Sequence, residues 1–420
     1  MFDRDRWNEI WLTLTKNKWR TFFTAFGVFW GIFMLIVMMG SGNGLYNGVN
    51  SGWGGMATNS MFMWTQQTTL PYKGLPRGRF FNFRNDDTRA LLLNIPEIEY
   101  IAPRLQGWGG DGNNNVVRNE RTGAFTIFGD YPELNLIDPL YIEKGRFINE
   151  NDIADKRKVA VIGSRVVSEL FVMGEDPLGQ YIRIQGVYFQ VVGVFSSKKR
   201  DQQAQRENQN IIIPFTTLQK TYNYGDIVGW YAMTAKRSFP VADMEARVKA
   251  FLMQRHKIHP EDTRAIGSFN VENEFNKMNR LFAGINGLIW IVGIGTLLAG
   301  VVGISNIMLV VIRERTREIG IQRALGATPW TIVSQVLAES AVLTTLAGYF
   351  GLVAGVGLIE LVNKGLSASG SSDNMFQDPG VSFGIALAAL GVLIVSGLVA
   401  GIIPARKAVT VKPIDALRYE

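Results

Sequence analysis

The chain has 420 residues, 47% of them apolar and 19% charged, with a net charge of +7 and no cysteine. The missing cysteine excludes disulfide frameworks, thiolate nucleophiles, iron–sulfur clusters and cysteine zinc sites, and only His256 and His259 remain for a histidine-rich metal centre. As averages these values fit a soluble protein of two or three domains, but the charges are segregated along the chain.

Residues 1–20 read as a cytoplasmic amphipathic helix. Trp7, Ile10, Trp11 and Leu14 share one face, with Asp3, Arg4, Asp5 and Glu9 around the rest, the pattern of a helix lying in a membrane interface. Charge then disappears from 21–40, and again from 281–312, 340–359 and 379–405. A bilayer core of ~30 Å needs about 20 helical residues, and each window meets that length. The first run exceeds the ~7–15 apolar residues of a secretory signal and lacks a clean small-residue cleavage site. The expected layout is four transmembrane helices at 21–41, 281–312, 329–360 and 381–404. They are joined by an outer region 42–280, a loop 313–328 and an outer loop 361–380, and they end in a tail 405–420.

The region 42–280 holds 29 basic and 25 acidic residues, the mixed surface of a folded domain large enough for its own core. Its Gly-, Asn- and Ser-rich start, 42–70, reads as turns. A short helix, DTRALLLNI, follows, capped by Asn85 or Asp86 and stopped by Pro96. Strands are expected at EIEYIAP, AFTIFGD, KVAVIG, QYIRIQG, VYFQVVGVF and NIIIPF, with a helix at SRVVSELF. Residues 238–256 form a further helix with Val241, Met244, Val248, Phe251 and Leu252 on one face, and 270–280 continue as helix into the second spanning segment. The fold class is thus a membrane protein with four transmembrane α-helices and a large α+β extracytoplasmic domain between helices 1 and 2, in which a β-rich module (about 120–225) is inserted in an αβ module.

Lys and Arg fix the orientation. Five precede the first helix, four lie in 313–328 (Arg313, Arg315, Arg317, Arg323) and four in the tail, against Lys364 alone in 361–380. The positive-inside rule puts both termini and the 313–328 loop in the cytoplasm. The basic excess is therefore topological, and no nucleic-acid partner is expected.

Small residues recur at four-residue spacing in every span: Gly27 and Gly31; Gly295, Ala299 and Gly303; Ala347, Gly351 and Gly355; Gly397 and Gly401. Such stripes allow close helix packing, within the chain or on a second copy. Glu339 is an intramembrane carboxylate, costly unless paired; an arginine at the cytoplasmic boundary is one partner, a functional role the other reading.

No catalytic constellation stands out. G-x-S-x-G, H-E-x-x-H and G-x-x-x-x-G-K-[ST] are absent. The adjacent carboxylates Asp86/Asp87, Glu175/Asp176 and Glu261/Asp262 read as solvated turns or caps, His256 and His259 as a surface pair, and Lys198-Lys199-Arg200 as a solvated loop. No metal site is expected.

The segment RERTREIGIQRALGAT, 313–328, is the most informative. Helical spacing puts Arg313 near Arg317, Glu314 near Glu318 and Arg315 near Glu318; only the last is favourable, so these side chains seek partners elsewhere. Gly320 and Gly326 are expected to break the helix, and Thr328-Pro329 to restart it as cap and first helical residue. The segment is a short charged elbow suited to docking a protein.

The run GISNIMLVVIRERTREIGIQRALGA (303–327) resembles the signature of MacB/FtsX-type ABC transporter permeases. The tail from Pro404 resembles their closing motif, and GRFINENDIADKRKVAVIGSRVVSELF…DPLGQYIRIQGVYFQVVGVF (145–195) is similar to the MacB-type periplasmic core domain. The resemblance implies a Porter-like αβ module with a β-rich insert. It also implies a dimer with a second permease copy or paralogue, and a coupling role for Arg313, Glu314, Arg315, Arg317, Glu318, Ile319, Gly320, Gln322 and Arg323 against an ABC-type ATPase. Only about 20 residues precede the first helix, so that ATPase is expected as a separate subunit carrying ATP and Mg, with no cofactor on this chain. A periplasmic adaptor and an outer-membrane duct are optional partners. The resemblance implies mechanotransmission in the inner membrane with three open outcomes: efflux of an amphiphile or peptide, lipoprotein extraction as in Lol permeases, or FtsX-like signalling to a cell-wall hydrolase.

Overall fold

The computed structural model describes residues 18–107, 115–199, 201–368, 376–381 and 383–410. Most of the amphipathic helix expected over 1–20, and the tail beyond 410, lie outside the described residues. The chain forms two compact units, residues 50–280 and the flanking segments together.

In chain order the elements are α1 (Lys18–Ser51), β1 (Ser60–Thr65), β2 (Phe83–Arg84), α2 (Asn85–Asn94), β3 (Ile98–Gln106), β4 (Val116–Arg118), β5 (Arg121–Gly123) and β6 (Thr126–Asp130). Then come α3 (Leu134–Ile137), β7 (Tyr141–Gly145), α4 (Glu150–Ala154), β8 (Val159–Gly163), α5 (Ser164–Leu170), β9 (Tyr181–Ile184), β10 (Val187–Ser196), α6 (Asp201–Glu207) and β11 (Asn210–Pro214). The last are α7 (Phe215–Thr221), β12 (Ile227–Val228), β13 (Trp230–Ala235), α8 (Val241–Arg255), β14 (Ile266–Asn270), α9 (Val271–Glu314), α10 (Thr316–Ala324), α11 (Pro329–Ala368) and α12 (Phe383–Val409).

In the outer unit most strands join one sheet in the order β14-β1-β13-β3-β6-β11-β8-β10-β9-β4-β5, with β7 also on β10, while β2 and β12 pair apart from it. Pairing is mostly antiparallel, but β6 with β11 and β8 with β10 are parallel. Composition explains the difference along the sheet. β8 (VAVIG) is buried at every position, as expected of a strand covered on both faces. β9 (YIRI) alternates exposed and buried, the period of a strand with one wet face. α8 turns Val241, Met244, Val248 and Leu252 into the same core.

Two local expectations are corrected by the structure. The 42–70 stretch is not all turn: α1 runs on to Ser51, and Ser60–Thr65 pairs with both β13 and β14. Met61 and Met63 are fully buried, so alternating methionines supply the inward face that β-branched residues usually provide. Neither Asn85 nor Asp86 caps α2. The cap position is Arg84, whose extended backbone N–H donates to Asp87 Oδ2 at 2.8 Å.

Among the described residues of the other unit four helices are long and apolar enough to cross a membrane, with spans within α1, α9, α11 and α12. α12 passes Pro404 to reach Val409, because Ala405 and Ala408 are buried in a cluster with Ile312, Ile319, Ile332 and Val336. Glycines set the approach of the helices. A Cβ on Gly351 would sit 2.5 Å from the Phe29 carbonyl oxygen, one on Gly355 2.9 Å from Ile36, and one on Gly27 3.5 Å from the Gly300 Cα. Gly31 abuts Leu297, Gly397 abuts Thr344, and Gly401 leaves no room beside Ser340. Ala347 is buried in the cluster of Ile312 and Val336. Gly295 and Gly303 instead face open space, and Ala299 is exposed. Within the chain, the close approach of α9 to α1 falls to Gly293, against Leu35, and Gly300, against Val28.

Candidate functional site

The elbow between α9 and α11 is built from one break, one short helix and one capped restart. Arg315 has φ −95° and ψ 12°, which ends α9. The carbonyls released there are met locally: Thr316 Oγ1 donates to the carbonyls of Ile312 at 3.0 Å and Arg313 at 2.9 Å. α10 then runs for nine residues. It closes with Gly326 at φ +100°, where the Gly326 N–H donates to the Arg323 carbonyl and the Ala327 N–H to the Gln322 carbonyl, a Schellman motif. Thr328 Oγ1 accepts from the Thr331 N–H at 3.3 Å and contacts Thr331 Oγ1 at 2.8 Å, capping α11 ahead of Pro329.

Gly320 does not break the helix; it is buried inside α10 beside Ile319. An interior glycine costs about 1 kcal/mol relative to alanine, less than the tertiary packing that holds this turn. The break at Arg315 also removes the continuous register assumed for Arg313/Arg317 and Glu314/Glu318. The Arg315–Glu318 pair forms, Nε to Oε2 at 2.8 Å.

The nine elbow residues separate into two groups. Ile319 belongs to the membrane unit's core. Arg315 turns inward: its Nη1 donates to Glu339 Oε1 at 2.9 Å, and Glu339 is buried in α11. Arg323 Nη1 donates to the Val409 carbonyl at 2.7 Å. Gln322 lines a small cavity beside Arg315. Arg313, Glu314, Arg317 and Glu318 are exposed. Beside them stand three apolar side chains that charge-based reasoning passed over, Ile321, Leu325 (84% exposed) and Trp330 (73% exposed). For Ile321 and Leu325 the signal was present as apolar residues four and eight positions after Arg317. The outward residues are therefore two cations and two anions beside an apolar ridge, a mixed composition suited to docking a protein.

In the outer unit several of the charged groups singled out from the sequence are tied into the fold. In each adjacent acidic pair one carboxylate is structural rather than solvated. Asp87 accepts from Arg255 Nε at 2.8 Å and contacts His256 Nε2 at 2.8 Å. Asp262 accepts from the Thr69 and Leu70 N–H groups at 2.6 and 3.1 Å, and Glu175 pairs with Arg118. His256 is not a surface residue: it packs on Phe81 and Phe83. Lys199 is not solvated either, since it bridges Asp138 at 2.7 Å and Glu207 at 2.9 Å. Among the described residues no three His, Cys, Asp or Glu side chains gather as metal ligands.

Residues 21–251 match the MacB-like periplasmic core domain, and residues 290–413 match the FtsX-like permease C-terminal domain. The chain is 28% identical over 416 residues to the pyoverdine export ATP-binding/permease protein PvdT of Pseudomonas entomophila, covering 99% of this chain and 59% of that protein. It is 27% identical over 425 residues to the macrolide export ATP-binding/permease protein MacB of Nitrosomonas europaea, again 99% of this chain and 59% of that one. The chain thus spans about three-fifths of the length of these relatives. The crystallised periplasmic region of MacB from Actinobacillus actinomycetemcomitans is similar at a TM-score of 0.42 and 16% identity, covering 54% of this chain and 94% of that one.

Proposed function

Because the chain belongs to the family of permeases that join a MacB-like periplasmic core domain to an FtsX-like C-terminal domain, we propose that it is the membrane-spanning part of an ABC-type exporter and works by mechanotransmission. An ABC-type ATPase, holding ATP and Mg, docks on the outward face of α10. Its closure moves the elbow, the spanning helices follow, and the extracytoplasmic domain drives an amphiphilic or peptide substrate outward. Both termini and the elbow lie in the cytoplasm in this reading, supported by the Lys and Arg distribution. The chain acts as a dimer with a second copy or a paralogue, supported by the small-residue face of Gly295, Ala299 and Gly303, which meets no close neighbour among the described residues at either glycine. Relatives named for pyoverdine export and macrolide export support export as the direction.

The observation that carries the reading is the elbow itself: capped at both ends, anchored inward, and presenting Arg313, Arg317, Ile321, Leu325 and Trp330 outward. The test is charge reversal, Arg317→Glu, in proteoliposomes holding the chain and its ATPase. Membrane insertion is expected to persist while stimulation of ATP hydrolysis is lost; undiminished stimulation overturns the reading.

A further inference from the structure

A docked ATPase can move the spanning helices only if α10 does not swing freely. α10 meets α9 at the single non-helical residue Arg315, and meets α11 through Leu325–Thr328. Both are joints, and a nine-residue helix between two joints dissipates a push unless side chains tie it down.

One tie is unusual for its place. Glu339 lies in the third spanning helix, and its side chain is 7% exposed. Arg315, 18% exposed, reaches it with Nη1 at 2.9 Å while Nε holds Glu318 at 2.8 Å. The pair borders a cavity of about 20 Å³, walled mainly by Val311, Ile312, Ile319, Ile332 and Val336 with Gln322 and Gln335 at its edge, room for about one water. Such surroundings do not explain a charge pair on stability grounds, because apolar residues of similar volume often serve a buried site equally well or better. A guanidinium fork differs from an apolar contact in having direction. Two methyl-lined surfaces slide past one another, whereas the fork holds α10 to one position along α11.

We propose that Arg315 and Glu339 are positioning residues that convert movement of the elbow into movement of the third spanning helix. The proposal rests on the reading above, that α10 docks an ATPase. It assigns the intramembrane carboxylate a transmitting role and makes Arg315 a force-bearing joint, distinct from the residues that touch the ATPase.

The absence of cysteine makes the test direct. Spin labels on Ala324→Cys and Ala338→Cys, both exposed, report the distance from α10 to α11 in liposomes. A narrow distribution is expected for the native pair, a broad one for Glu339→Gln, and a narrow one again for Glu339→Asp. In proteoliposomes with the ATPase, Glu339→Gln is expected to lower stimulated hydrolysis about tenfold, a typical size for coupling between sites, with ATPase co-purification unchanged. The double variant Arg315→Met/Glu339→Leu separates transmission from folding: its thermal midpoint is expected to hold while stimulation falls. A stable double variant with native stimulation overturns the proposal. So does a narrow distribution in Glu339→Gln, or loss of co-purification in it. Leu325→Asp controls for the parent reading: if it keeps both co-purification and stimulation, docking through α10 fails while the spin-label result still stands.

Discussion

Arg323 Nη1 donates to the Val409 carbonyl at 2.7 Å, tying the end of α10 to the last residue of α12. That carbonyl sits in the last turn of its helix, where no intrahelical donor is available, so the cation meets both an orphan acceptor and the negative end of a helix dipole. Arg323→Ala is expected to cost about 2 kcal/mol locally, read as faster amide exchange in both α10 and the last turn of α12. Arg323→Lys retains part of the protection, because a single donor suffices.

The outward and inward residues of the elbow predict opposite phenotypes. Leu325→Ala and Trp330→Ala, on the exposed face, are expected to weaken ATPase binding by about 2 kcal/mol each if they are interface anchors, with no change in thermal midpoint. Ile319→Ala, in the core cluster, is expected to lower the midpoint by removing about 2–5 kcal/mol of packing. Titration of the ATPase together with melting curves of the three variants separates the two faces.

Gly326 terminates α10 at φ +100°, with nothing near the place a Cβ would occupy. Gly326→Ala therefore meets no clash, and its cost is backbone strain alone, about 1–2 kcal/mol. The expected outcome is a frayed α10, seen as faster exchange at the Gly326 and Ala327 amides with the spanning helices unaffected.

Asp87 gives the outer domain a pH signature. Burial would raise its pKa, but its bonds to His256, Arg255 and the Arg84 N–H outweigh this and hold it at about 2, against an ordinary 3.8. A carboxylate lowered in the folded state stabilises it above the unfolded pKa and loses that contribution as pH falls through the folded one. Asp87→Asn is thus expected to cost about 2 kcal/mol at pH 7, with the gap to the native chain closing as pH falls from about 4 to 2. Amide exchange in α2 and α8 across that range checks it.

Glycine faces in the membrane are separable in the same way. Gly351→Val is expected to disturb helix packing, since its Cβ meets the Phe29 carbonyl, whereas Gly303→Val, facing open space, leaves the single chain stable. In the dimer reading Gly303→Val weakens association between copies, measured by cross-linking in membranes.

Much of this architecture was legible because it depends on period and charge. The four spans, the apolar β8, the Ile211–Ile213 run of β11, and the restart at Thr328-Pro329 are properties of short windows. The rest depends on partners distant in sequence. Nothing local shows that Asp87 will meet Arg255 and His256, or Lys199 meet Asp138. β1 went unseen because methionine has no strong strand preference and its neighbours favour turns. In the elbow, the family resemblance gave Ile319 and Arg323 a coupling role and attention to charge left Ile321 and Leu325 out; that the first two pack inward and the last two lie exposed depends on the break at Arg315, which no local pattern shows.

The Schellman closure and the Thr328 cap leave the elbow with its backbone groups satisfied at both ends of the turn. It is preorganised. A partner arriving there has no loop to order, so the entropy that a flexible segment forfeits on binding is not lost at this surface. In the docking reading, recognition resembles the meeting of two rigid bodies, with exposed Arg313, Arg317, Glu314 and Glu318 matched to complementary charges on the partner. The association rate is expected to fall as ionic strength rises, while the lifetime of the complex follows the apolar ridge.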